Sequence, residues 1–88
     1  MLIRHQRWQE AHDAFEAIFR NNKNDALTRA SAAANAAVCA EMLDDKKKAA
    51  AWIEQGEPVW LALKTAYARQ QVINLRYYKQ KLTAAATK

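Results

Sequence analysis

The chain has 88 residues with one glycine, one proline and one cysteine, and a formal net charge of +5. That length holds a single domain, near the lower end of what folds unaided, and Cys39 standing alone excludes an internal disulfide or a thiolate metal cluster. The apolar fraction is 51%, but 20 of those residues are alanines, so bulky core material is scarce and turn formers scarcer; the composition predicts an all-α fold, a small bundle of three to four helices completed by a partner or a second copy.

The opening "MLIRHQRWQE" turns polar after three residues, and nothing approaches the ~20 apolar residues that span a bilayer. The expectation is a soluble cytoplasmic protein. Charge is divided unevenly: residues 1–44 carry five cations against six acids, and residues 45–88 carry nine against three. Such asymmetry points to an anionic or acidic partner and says nothing about fold.

In chain order, the first helix is predicted over 3–20, because Arg4, Trp8, Ala11, Phe15, Ile18 and Phe19 recur at helical spacing. "NNKND" ends it, and Asn24 or Asp25 can cap the next. A second helix is predicted over 25–43, with alanine on every side, as a spacer clasped by bulkier neighbours. At Asp44–Asp45 it either breaks or kinks, or it continues to residue 55. "GEP" at 56–58 predicts a stop and a restart, since glycine favours the position past a helix end and proline the first turn of a new helix. The last helix is then expected over 58–82, with 83–88 a frayed tail.

The stretch "SAAANAAVCAEMLDDKKKAAAWIEQGEP" resembles one tetratricopeptide unit, a helical hairpin with small residues where its helices touch. Ala37, Ala49 and Gly56 fall on small positions of that pattern, Ile53 falls on one that is usually aromatic, and "WQEAHDAFEAIF" is similar to the unit's second helix, with Ala11 and Phe15 in register. Ala33, Ala36 and Ala40 depart from it, standing where the family has large residues. The inter-helix turn has no glycine, and Ala11 and Ala49 lie 38 residues apart against the usual ~34. The resemblance implies hairpin packing and does not assign the family.

On a wheel of residues 58–82, Val59, Leu63, Ala66, Ile73 and Tyr77 form one stripe flanked by Trp60, Tyr67 and Tyr78, expected to face the core. An opposed row of Leu61, Ala68, Val72, Leu75 and Leu82 is left over for a partner. The predicted contact set is therefore Leu61, Val72, Leu75 and Leu82, with Arg76 and Lys79 selecting an acidic rim, most simply in a dimer. Gln70 and Asn74 are polar residues in apolar company, placed either to fix helix register or at a solvated edge.

Against this stands a basic path of Lys46, Lys47, Lys48, Arg69, Arg76 and Lys79, with Tyr78 free to stack, which would bind nucleic-acid phosphates without sequence selectivity. A third reading is a solvated basic face, and a membrane surface is the weakest. His5, His12 and Glu16 share a side of the first helix, but His12 beside Phe15 and Phe19 reads as an edge-of-core residue, so no metal is expected. Cys39 reads as a small buried hydrophobe. With no glycine-rich phosphate loop and no nucleophile, base and oxyanion set, the chain is expected to be a non-enzymatic interaction module without cofactor or small-molecule substrate.

Overall fold

The computed structural model describes residues 2–86, and the side chains of 5–84. Four helices follow one another among them: α1 (Leu2–Arg20), α2 (Ala26–Met42), α3 (Lys46–Ala62) and α4 (Ala66–Ala86). The all-α bundle expected from composition is the fold observed. Arg4, assigned to the first helix face, lies outside the described side chains. Helix α4 runs past the fray expected at Thr83, and the last two residues of that tail lie outside the described residues.

Local chemistry fixes the first two turns. The Asn24 side chain donates to the Ile18 carbonyl at 3.0 Å, and the Asp25 carboxylate accepts from the Thr28 amide at 2.7 Å. One asparagine thus closes α1 while its neighbour opens α2. At the end of α2, Asp44 takes the left-handed conformation (φ 62). Its amide donates to the Glu41 carbonyl at 2.9 Å, and the Asp45 amide reaches back to Ala40 at 2.9 Å, the paired bonds of a Schellman ending. Asp45 then caps α3 by accepting from the Lys48 amide at 3.0 Å. Of the two alternatives at Asp44–Asp45, the chain takes the break.

The stop expected at "GEP" does not occur: Gly56 and Pro58 both lie inside α3. Gly56 serves contact instead of conformation. A Cβ placed there would lie 2.9 Å from the Ala33 Cβ of α2, closer than carbon atoms tolerate. Pro58 is exposed, so the carbonyl that its missing amide leaves free can meet water. The chain turns later, where Lys64 adopts φ 54 and the Thr65 hydroxyl accepts from the Ala68 amide at 3.0 Å.

Each helix packs on its chain neighbour, most extensively α2 on α3. The Cα envelope measures 40 × 31 × 15 Å. A thickness of 15 Å fits a stack two helices deep at the usual spacing of about 8–10 Å. The core is mostly methyl groups: Ala30, Ala33, Ala36, Ala37 and Ala40 of α2 are buried, with Trp52, Ile53 and Trp60 of α3 closed over them. Phe15 and Phe19 from α1 and Leu75 and Tyr78 from α4 close the remaining sides. The second helix is the clasped spacer its composition predicts.

Helix α1 reaches α3 through His12, which is 1% exposed and therefore core rather than edge. Trp52 Nε1 donates to His12 Nε2 at 2.9 Å, which puts the ring proton on Nδ1, 3.2 Å from the Asp13 carboxylate. Trp52 also meets Phe19 edge-on, with ring centroids 5.5 Å apart. Trp60, equally buried, has no hydrogen-bond partner for its indole nitrogen among the described residues.

These contacts make two predictions. Gly56→Ala should lower the thermal midpoint, because overpacking of about 1–3 kcal/mol exceeds the helix-propensity gain of roughly 1 kcal/mol. Adding Ala33→Gly should then cost less in that background than in the wild type, as a double-mutant cycle followed by circular dichroism would reveal. Second, Trp52→Phe should destabilise more than Trp60→Phe, by about 1–3 kcal/mol, since only the former leaves a buried acceptor unsatisfied. Equal losses in urea titrations would contradict the bonding assigned to His12.

Candidate interaction surfaces

The break at Leu63–Thr65 resets the helical phase of everything after it, and α4 is turned over relative to expectation. Ala68 (1%), Val72 (4%) and Leu82 (2%) are buried against the chain's own core, and Leu75 is half-buried there. Val72, Leu75 and Leu82 are therefore not available as a docking row. Of the four predicted anchors only Leu61 is exposed (47%), and it sits on α3. Ile73 (59%) and Tyr77 (61%), assigned to the core stripe, point outward. The physical reason is fit: a slim aliphatic row settles into an alanine-lined groove more closely than tyrosines do, and the phenol groups stay hydrated.

The predicted acidic-rim selectors are also engaged within the chain. Arg76 makes a two-pronged contact with Glu57 at 2.9 and 3.3 Å, and Lys79 Nζ lies 2.6 Å from Glu54. These pairs tie α4 to α3 and line a shallow polar cleft of about 360 Å³ with Ile53 and Gln80. The Arg76 guanidinium holds the Glu57 carboxyl below its ordinary range despite partial desolvation.

The same pairs interrupt the predicted phosphate path. Lys46, Lys47 and Lys48 begin α3, and Arg69 begins α4; since Glu54 faces Lys79 and Glu57 faces Arg76, the helices are antiparallel and these cations lie at opposite ends. Tyr78 is not free to stack, because it is half-buried and donates to the Glu41 carboxylate of α2. Burial, then the hydrogen bond to Glu41 and its charge, raises its phenol above the usual value.

His12, Asp13 and Glu16 bring potential ligand atoms within 4.8 Å of one another. Both His12 ring nitrogens are already engaged, with Trp52 and Asp13, and Glu16 is paired with Arg20 at 2.9 Å. The arrangement serves packing. Cys39 is buried, and burial raises its thiol, so it ionises less readily than a free cysteine.

Among the described residues two apolar surfaces remain. One is the outward side of α4, where Ala66, Gln70, Ile73, Tyr77 and Lys81 follow at helical spacing and Tyr67 (60% exposed) lies alongside. Lys81 Nζ rests 4.7 Å from the Tyr77 ring centroid. Gln70 donates to Asn74 at 3.0 Å; both are exposed, so the pair is solvated and interrupts this row with polar atoms. Helix α4 has four cations and no acid. The other surface is a groove between α1 and α2 that the sequence reading missed. At one end Arg7, Trp8, Ala11 and Met42 line an open hollow of about 480 Å³, and at the other Phe15, Ile18, Leu27, Thr28 and Ser31 line a shallower one of about 390 Å³. Its signal was present: Leu27, Val38 and Met42, the exposed large residues of an alanine helix, fall on one face.

No helix among the described residues is long and apolar enough to cross a membrane. The ion pairs between α3 and α4 predict a pH effect. Because the folded-state value of Glu57 is depressed, the stability it contributes is present above the ordinary glutamate value of 4.5 and is lost as pH falls below it. Glu57→Gln should therefore show a shallower loss of thermal midpoint between about pH 5 and 3 than the wild type; parallel curves would mean the pair contributes nothing.

Comparison with curated proteins and with solved structures finds no match to this chain. Residues 1–84 match the family model described as a domain of unknown function, DUF6340, and the chain belongs to that family.

Proposed function

We propose that the protein is a non-catalytic helical interaction module that docks a protein partner through the outward side of its last helix. The observation carrying this reading is the exposure of Tyr67, Ile73 and Tyr77, each 59–61%, on a helix flanked by Arg69 and Lys81 and devoid of acids. Rigid aromatic anchors beside cations are the residue types that concentrate binding energy at interfaces. The engagement of His12, Glu16 and Tyr78 within the fold supports a non-catalytic role, since each spends its polar atoms on a neighbour.

Backbone-only nucleic-acid binding fits less well, because Glu54 and Glu57 lie between the two ends of the basic path. Binding of a labelled duplex that weakens steeply with salt would favour it.

The test is Ile73→Asp. Exposed substitutions change stability by about ±0.5 kcal/mol, so helicity and thermal midpoint should stay near wild type. Binding of a solvatochromic apolar dye should fall, and proteins retained by the immobilised wild type from its native cell should be lost. Unfolding of the variant, or unchanged dye binding and retention, contradicts the proposal.

A further inference from the structure

On the outward side of α4, Arg69, Ile73, Tyr77 and Lys81 stand four residues apart, so they follow one another along one side of the helix. Two apolar anchors thus lie between two cations, over a length of about 18 Å. All four side chains are exposed. The contact of Lys81 with the Tyr77 ring keeps its ammonium group beside the apolar pair.

The charge of this row is uncompensated. Arg76 and Lys79, the other two cations of α4, are held by Glu57 and Glu54, whereas Arg69 and Lys81 make no ion pair among the described residues. No acid occurs in the sequence after Glu57 to offset them. A neutral partner seated on Ile73 and Tyr77 would strip water from both cations and return nothing, while one with a carboxylate opposite each gains two ion pairs. A second copy of α4 has no acid with which to do so. A membrane fits less well than a protein surface: the Gln70–Asn74 pair lies on this side, and its remaining polar atoms would find no bonds in an acyl layer.

We propose that the partner of α4 is an acidic amphipathic helix, in which two apolar residues four apart are bracketed by a carboxylate four positions before and four positions after them. The proposal rests on α4 being a docking face and adds the chemistry of what docks there. The row has the order cation, apolar, apolar, cation from either end, so the charge pairing admits the partner helix in both directions.

The experiment measures fluorescence anisotropy of labelled alanine-based helical peptides titrated with the 88-residue chain. The first peptide carries glutamate, leucine, leucine and glutamate at every fourth position, and the other two replace both glutamates by glutamine or by lysine. Wild type should bind the glutamate peptide at least about threefold more tightly than the glutamine peptide, with the lysine peptide weakest and the differences shrinking as salt rises. Arg69→Glu combined with Lys81→Glu should reverse that order. If this double variant loses helicity, Arg69→Gln with Lys81→Gln replaces it and should bind all three alike. Equal binding of the three peptides to wild type, no binding of the glutamate peptide up to about 1 mM, or an unchanged order in the charge-reversed variant overturns the proposal. So does attachment to phosphatidylserine-containing vesicles that charge reversal abolishes, in the absence of any preference for the glutamate peptide. Should the peptides bind alike while Ile73→Asp abolishes their binding, α4 docks by apolar contact and only the acidic requirement falls; if Ile73→Asp changes nothing, the docking role falls with it.

Discussion

The close approach of α2 to α3 governs the rest of the molecule. Ala33 and Gly56 leave so little space between the two helices that only a hydrogen fits on the glycine. Such proximity is possible because α2 is lined with alanines, yet alanines remove little apolar area from water. The deficit is met from outside the pair. Trp52 and Trp60 fold over α2 from α3, Phe15 and Phe19 approach from α1, and the slim side of α4 closes the other flank. A bulkier second helix would hold α3 away and leave the indoles without a floor.

That arrangement explains why α4 buries its lesser row. The groove offered to it is shallow and built of methyl groups, and it is crossed by two carboxylates at the α3 rim. Ala68 and Val72 can approach Trp60 and Ala30 closely, and Arg76 and Lys79 find Glu57 and Glu54 beside them. The larger tyrosines and Ile73 are left on the far side. Once the inner row, the two ion pairs and the Tyr78–Glu41 bond are satisfied, α4 is positioned with its aromatic side uncovered.

Helix content and the turn at Asn24–Asp25 were legible because their determinants are local, bonds that reach only a few residues along the chain; at Asp44–Asp45, where Asp45 caps α3 just as locally, spacing alone left break and continuation open. Gly56 was legible as special but not as to why, since the atom it accommodates is 23 positions away in sequence. Lys64 carried no signal at all, as lysine rarely takes the left-handed conformation and nothing nearby replaces it. That single missed turn inverted the last helix and transferred its apolar stripe from the inside to the outside. The bond between His12 and Trp52, 40 positions apart, depends on packing that periodicity does not encode. The α1/α2 groove was hidden by the same limitation: a helix face can be read from spacing, whereas a space between two helices needs their relative placement.

An interior made of methyl groups has a thermodynamic corollary. Unfolding such a core hydrates less hydrocarbon per residue than unfolding one of leucine and isoleucine, so the accompanying heat-capacity increment is small. The stability curve is correspondingly flat, and the fold loses little free energy on cooling, when apolar hydration becomes less unfavourable.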